Sequence, residues 1–146
     1  MDTSGSVIDA LNGLWTVKRA LIDQNVARAR VCEARGQAAS ADRFSSIAFG
    51  HMREVASLLD RIVALDGMPE LQTVDAVPIG DTLAAQLKLS LDAERAATER
   101  YLQTIKVCEA GGDAETAGLV RESLENQRGH IESLSTELRE AADEAR

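Results

Sequence analysis

The sequence predicts an all-α fold, a bundle of four long helices. Aromatic residues make up only 3% of the 146 residues and there are only 2 prolines, whereas β-strands favour aromatic and β-branched side chains. Apolar residues recur at spacings of three and four along four long segments, the pattern of amphipathic helices. A chain of this length buries one substantial core, so we expect a single domain over residues 1–146.

Breaks marked by glycine or proline separate the four segments. We predict helices over residues 5–34, 41–66, 81–110 and 114–143. The first and third connections between them are short. The first helix therefore forms an antiparallel hairpin with the second, and the third with the fourth.

The residue types at the helix ends agree with these boundaries. Ser40 stands where a side chain can cap the second helix, and Asp81 or Thr82 can cap the third. Gly67 follows the second helix and Gly111 follows the third, as glycine often does where a helix ends. Capping residues and apolar periodicity thus support the same four elements.

The middle connection, residues 67–80, is much longer than the other two. A helix over residues 41–66 would be about 39 Å long, and the extended connection can reach about 46 Å. It can therefore run the full length of the bundle, which is the long crossover of ferritin-like four-helix bundles. A surface loop of the same length is the alternative.

Charge and composition exclude several classes of function. The net charge of −8 at pH 7, without any basic stretch, argues against a nucleic acid partner. No apolar run reaches the roughly 18 residues that could span a membrane, and the first residues lack the features of a secretory signal, so we expect a cytoplasmic protein. Cys32 and Cys108 are far apart, so we expect buried reduced thiols.

Each predicted helix carries polar residues on or beside its inward stripe. Burying lysine, glutamate or histidine is costly unless the side chain is paired or bound to a metal ion, so we expect these residues to meet. Carboxylates and imidazoles that converge inside four helices are typical of di-iron carboxylate sites. The set is Lys18, Asn25, His51, Glu54, Glu94, Gln127 and His130.

Two interpretations of this polar set remain open. In the first, Lys18 pairs with Glu54 and Glu94 as a buried charge cluster with a structural role only. In the second, one Zn²⁺ or Fe²⁺ ion is bound by four side chains, those of His51, Glu54, Glu94 and His130. The second interpretation requires Lys18 to move away or to lose its proton.

The second helix has another apolar face, which contains Met52 and Phe49. Ile22 and Val26 lie beside the inward stripe of the first helix. Since a helix that is apolar on two faces needs a second partner, we expect a homodimer about a twofold axis there. Two Met52 thioethers facing each other across that axis can ligate a haem iron; simple packing of Met52 is the alternative.

Four stretches of the sequence resemble bacterioferritin: "VIDALNGLWTVKRALIDQNVARAR", "HMREVASLLDRIVALDGMPELQ", "VPIGDTL" and "GHIESLSTEL". The resemblance covers about residues 7–140. It implies haem of the b type between paired subunits, with Met52 of each subunit as an axial ligand. Phe49, Ile22 and Val26 would line the haem pocket, and the pairs would belong to a larger shell.

The positions that match the family's di-iron ligands are mostly altered. They are Lys18, His51, Glu54, Glu94, Gln127 and His130, where the family has Glu, Glu, His, Glu, Glu and His. Asn25 also replaces a tyrosine that is usual near that centre. Losing two glutamates and gaining a cation should remove the second iron site, so the resemblance implies no normal ferroxidase activity.

The resemblance implies a function and leaves a rival. We expect a bacterioferritin-like iron-storage subunit that binds haem, supports electron transfer for iron release and co-assembles with a ferroxidase-competent relative. The sequence stops near the end of the fourth predicted helix, so we expect a short or absent fifth helix. The rival is a ferritin-like oxidase with a remodelled metal site, and a scaffold without metal or haem is a third possibility.

Overall fold

The computed structural model describes residues 4–144, with side chains from residue 5 onward. These residues form four α-helices: α1 (Ser4–Ala34), α2 (Ala38–Ala64), α3 (Leu83–Ala110) and α4 (Ala114–Glu144). The predicted all-α, ferritin-like four-helix bundle is confirmed. No helix in this part of the chain combines the length and apolar character needed to cross a membrane.

The start of α2 differs from the prediction, and the structure shows which of the two predicted residues caps α3. α2 has already begun before Ser40, so the prediction that Ser40 caps this helix is wrong. Ser40 is buried and donates its hydroxyl hydrogen to Glu137 of α4. Of the two predicted caps of α3, Thr82 is the one that acts, because its hydroxyl oxygen accepts a hydrogen bond from the Ala85 N–H at 3.1 Å.

The four helices pack as two antiparallel hairpins joined by a long crossover, residues 65–82. α1 packs along α2, and α3 packs along α4. α1 also packs against α3, whereas α2 and α4 make much less contact with each other. A gap therefore lies between α2 and α4.

The crossover runs along α1 and is bound to it at several points. Asn12, near the start of α1, donates from Nδ2 to the Met68 carbonyl oxygen at 3.1 Å. Arg28, which is 1% exposed, donates from Nη2 and Nε to the carbonyl oxygens of Pro78 and Ile79, each at 3.1 Å. The connection is therefore a lengthwise crossover, as predicted, and not a loose surface loop.

The core of the described chain divides into two apolar clusters with a polar layer between them. One cluster includes Leu14 and Tyr101, and the other includes Phe44. Cys108 lies in the first cluster and Cys32 in the second, both as buried free thiols, as predicted. Because most side chains of this layer are buried, their polar groups must bind one another or a ligand.

Candidate functional site

Lys18 of α1 is at the centre of the polar layer, with a side chain that is 0% exposed. Its ammonium group forms an ion pair with Glu54 and donates to the Tyr101 hydroxyl oxygen. It also lies 3.3 Å from His51 Nδ1. An ammonium group has three N–H donors, so these three acceptors use all of them. Burial lowers the pKa of Lys18, while the charge of Glu54 opposes that shift.

His51 of α2 connects Lys18 to Glu94 of α3. Since an ammonium group can only donate, Nδ1 of His51 is the acceptor and the ring proton lies on Nε2. That nitrogen donates to Glu94 Oε1 at 3.1 Å. Gln127 of α4 donates from Nε2 to the carboxylate of Glu94 and to its backbone oxygen. Burial alone would raise the pKa of Glu94, but the hydrogen bonds from His51 and Gln127 hold it below the usual range.

Glu54 lies at the edge of the polar layer, with a side chain that is 13% exposed. One carboxylate oxygen, Oε2, pairs with Lys18. The other, Oε1, accepts a hydrogen bond from Asn126 Nδ2 at 2.8 Å. Burial alone would raise the pKa of Glu54, but the positive charge of Lys18 holds it below the usual range. Glu54 is therefore an ionised carboxylate with both oxygens engaged.

His130 of α4 lies beside these residues, with its ring centroid 5.2 Å from that of His51. Its Nε2 atom is buried and has no hydrogen-bond partner among the described residues, and the same holds for Oε1 of Gln127. A Cβ atom on Gly50 would lie 3.2 Å from this nitrogen, so the glycine leaves room for the ring. Burial lowers the pKa of His130, which favours the neutral ring with a free lone pair.

The structure brings the predicted metal ligands into one layer but gives them separate partners. Glu54 pairs with Lys18, Glu94 pairs with His51, and His130 stands beside them. Within residues 4–144, no group of three or more His, Cys, Asp or Glu side chains is arranged to hold a metal ion. Every carboxylate oxygen in the layer already accepts a hydrogen bond. These residues therefore do not fit a di-iron centre.

A cavity of about 470 Å³ opens between α2 and α4, where the two helices make least contact. Glu54, Asn126 and His130 are among the residues that line it. Lys18 is fully buried behind Glu54 and does not line the cavity. Small solutes can therefore reach the edge of the polar layer from outside, but they meet Glu54 and His130 first.

The sequence predicts a second candidate site from four apolar residues of α1 and α2. We call this surface the outer face; it consists of Ile22, Val26, Phe49 and Met52. Val26 is 41% exposed, Phe49 is 58% exposed and Met52 is 40% exposed, while Ile22 is half-buried. The thioether of Met52 is thus accessible, as an axial ligand of haem iron must be.

Sequence reasoning missed two partners in the polar layer, Tyr101 and Asn126. Tyr101 is fully buried, and its hydroxyl accepts from Lys18. Periodicity places Tyr101 on the same inward stripe of α3 as Glu94, but it does not show that the hydroxyl pairs with Lys18. Helix periodicity does not predict the contact of Asn126 with Glu54, because Asn126 lies at the rim of the cavity and not on the inward stripe of α4.

Comparison with known proteins agrees with this architecture and with the predicted resemblance. Bacterioferritin of Mycobacterium avium is 28% identical over 138 residues, which cover 94% of this chain and 87% of that protein. Bacterioferritins of Streptomyces coelicolor and Brucella melitensis are also 28% identical, over 94% and 90% of this chain and 83% and 82% of their own. The model of the ferritin family, described as a ferritin-like domain, matches residues 8–143. Since that match spans nearly the whole chain, this protein belongs to the ferritin family.

Proposed function

We propose that this chain is a bacterioferritin-like subunit of an iron-storage assembly, that it binds haem at a twofold subunit interface, and that it has no ferroxidase activity of its own. The observation that carries the proposal is a contrast between two sites. In the polar layer the carboxylates that iron would need are occupied, Glu54 by Lys18 and Glu94 by His51 and Gln127, whereas Met52 is exposed on the outer face. The similarity to proteins named bacterioferritin supports the storage role.

The outer face supports the haem part of the proposal. If two copies meet at this face about a twofold axis, each Met52 faces its counterpart. A thioether sulfur from each side is an established pair of axial ligands for haem iron. Phe49, Ile22 and Val26 would pack against the ring, which by resemblance is haem b. Bound haem would supply a one-electron carrier that serves the release of stored iron.

The proposed assembly is cytoplasmic and contains this homodimer within a larger shell. Copies of a ferroxidase-competent bacterioferritin can take part in the same shell and oxidise the incoming Fe²⁺. Such a division of labour would account for a chain that keeps Met52 while Lys18 and Gln127 stand where the family has glutamates. The family assignment and the exposed apolar residues of α1 and α2 support assembly through this face.

A haem titration followed by visible absorbance tests the haem site. We expect a saturable low-spin spectrum at about one haem per two chains, lost in Met52→Ala. Met68→Ala is the matched control, since Met68 is 77% exposed but lies on the crossover, away from the outer face. A titration that does not saturate, or a spectrum unchanged in Met52→Ala, would exclude Met52 as the ligand.

The alternative function is that of a ferritin-like oxidase with a remodelled metal site at His51, Glu54, Glu94 and His130. The unpartnered Nε2 of His130 and the cavity beside it favour this alternative. It requires that Glu94→Gln and His130→Asn slow the oxidation of Fe²⁺ by the purified protein. Unaltered oxidation and metal content in both variants would leave the oxidase without a site.

A further inference from the structure

We propose that Lys18 is a resident cation that closes the polar layer to divalent metal ions, and that removing its charge opens a site for one such ion. The ligands of that site would be His51, Glu54, Glu94 and His130. This inference rests on one part of the proposed function, namely that the chain has no ferroxidase activity of its own. It does not depend on haem binding.

The first step is electrostatic. The Lys18 ammonium pairs with Glu54 Oε2 in a site where its side chain is 0% exposed. A divalent ion bound to Glu54 would stand within a few ångströms of that ammonium group. The repulsion between the two cations is strong there, because little water is present to screen it. A metal ion could bind only if Lys18 left its three partners.

The second step concerns the proton on His51. Lys18 Nζ lies 3.3 Å from Nδ1 of this ring and donates to it. The ring proton is therefore on Nε2, which faces Glu94 at 3.1 Å. A metal ion needs the lone pair of that nitrogen, so Lys18 holds His51 in the tautomer that cannot ligate towards Glu94. Without Lys18 the proton can move to Nδ1 and Nε2 becomes free.

The third step is the ligand set that remains once Lys18 is replaced. The replacement frees Glu54 Oε2 and Nε2 of His51, and Nε2 of His130 is already buried without a partner. Glu94 adds a second carboxylate at the same level of the bundle. With Lys18 in place these side chains are not arranged around one ion. Without it, two imidazole nitrogens and two carboxylates can turn towards a single Zn²⁺, Co²⁺ or Fe²⁺ ion. The cavity of about 470 Å³ beside Glu54 and His130 provides access for the ion.

Titration of the metal-free protein with Co²⁺, followed by its visible absorption bands, tests this inference. We expect Lys18→Met to bind about one Co²⁺ per chain, at least about 100-fold more tightly than the unsubstituted protein. Adding His130→Asn to that variant should abolish the bands. Lys88→Met is the matched control, because Lys88 is a surface lysine paired with Asp92 and its loss should leave Co²⁺ binding unchanged.

Two outcomes of the titration would overturn the inference. One is Co²⁺ binding by the unsubstituted protein as tight as that of Lys18→Met, and the other is no binding by a folded Lys18→Met. If circular dichroism shows that the Lys18→Met variant is unfolded, the Co²⁺ titration is carried out with the Lys18→Gln variant. Nitrogen NMR of His51 in the unsubstituted protein is an independent test, because it shows which ring nitrogen carries the proton. A proton on Nδ1 would contradict the proposed role of Lys18. A failed haem titration would refute the haem proposal alone.

Discussion

Lys18 of α1 and Glu54 of α2 form an ion pair inside the bundle, with side chains that are 0% and 13% exposed. Tyr101 of α3 accepts a hydrogen bond from the same ammonium group. One side chain thus joins three helices in the middle of the polar layer. The pair is therefore part of the folding core as well as the feature that sets this layer apart from a di-iron centre.

We expect Glu54→Leu to lower the free energy of unfolding by about 3–5 kcal/mol, because it leaves the Lys18 ammonium buried without its counter-ion. Lys18→Met combined with Glu54→Leu should recover much of that loss, because no charge remains buried. Urea unfolding at pH 7 measures both. Breaking the exposed pair of Lys88 and Asp92 serves as the control and should change stability by less than about 1 kcal/mol.

Restoring the missing carboxylates should restore iron binding if the layer is the counterpart of the di-iron centre. Lys18→Glu combined with Gln127→Glu removes the cation and adds two carboxylates at buried positions. We expect a gain in Fe²⁺ affinity under anaerobic conditions, measured by calorimetry, and a larger gain when His51 and Glu54 are also exchanged. The absence of any gain, in variants that remain folded, would count against the equivalence of these positions.

The fold and the convergence of the polar residues could be predicted because both follow from helix periodicity. Lys18, His51, Glu94 and Gln127 lie on buried stripes, and the structure buries all four. The choice of partners could not be predicted in the same way. The charge-cluster interpretation paired Lys18 with both glutamates, whereas the structure gives Glu94 to His51 and Gln127. Periodicity determines the face on which a residue lies, but rotamers and hydrogen bonds select its partner.

The contacts of the crossover with α1 were also beyond the sequence-based prediction. An extended connection has no helical periodicity, so the sequence does not show which surface it covers. The side chains that bind it are those of Asn12, Arg19 and Arg28 of α1 and of Arg35, which directly follows that helix. Without the crossover, the three arginines in this set resemble ordinary solvent-exposed charges.

Arg28 should contribute most to holding the crossover on α1. It is 1% exposed and donates to two crossover carbonyls. We expect Arg28→Ala to lower the free energy of unfolding by about 2–4 kcal/mol, since these charged hydrogen bonds are lost in a buried place. Amide hydrogen exchange should become faster across residues 68–82.

Arg19→Ala is the control for Arg28→Ala. Arg19 is only half-buried and makes a single hydrogen bond to the crossover, to the Gln72 carbonyl oxygen at 3.2 Å. Arg19→Ala should therefore lower the free energy of unfolding by less than Arg28→Ala does. Its faster amide hydrogen exchange should be confined to the middle of the crossover. Equal losses of unfolding free energy in the two variants, or unchanged amide hydrogen exchange in Arg28→Ala, would show that other contacts hold the crossover.

Asp113 provides a pH-dependent contribution to stability at the other end of the bundle. Its Oδ1 atom caps α4 by accepting from the Thr116 N–H at 3.0 Å, and it also accepts from Arg61 of α2 at 3.2 Å. Burial alone would raise the pKa of Asp113, but the Thr116 hydrogen bonds and the charge of Arg61 hold it below its ordinary value of 3.8. The folded state therefore favours the ionised carboxylate.

A depressed pKa means that this stabilisation is complete above the unfolded-state value and is lost as the pH falls through the folded-state value. We expect Asp113→Asn to be less stable than the unsubstituted protein by about 1–2 kcal/mol at pH 7, with the difference shrinking below about pH 4. Urea unfolding across this pH range measures it. Glu115→Gln is the control, since Glu115 also pairs with Arg61 but is 80% exposed. A difference that stays constant with pH would assign the effect of Asp113 to cap geometry and not to its charge.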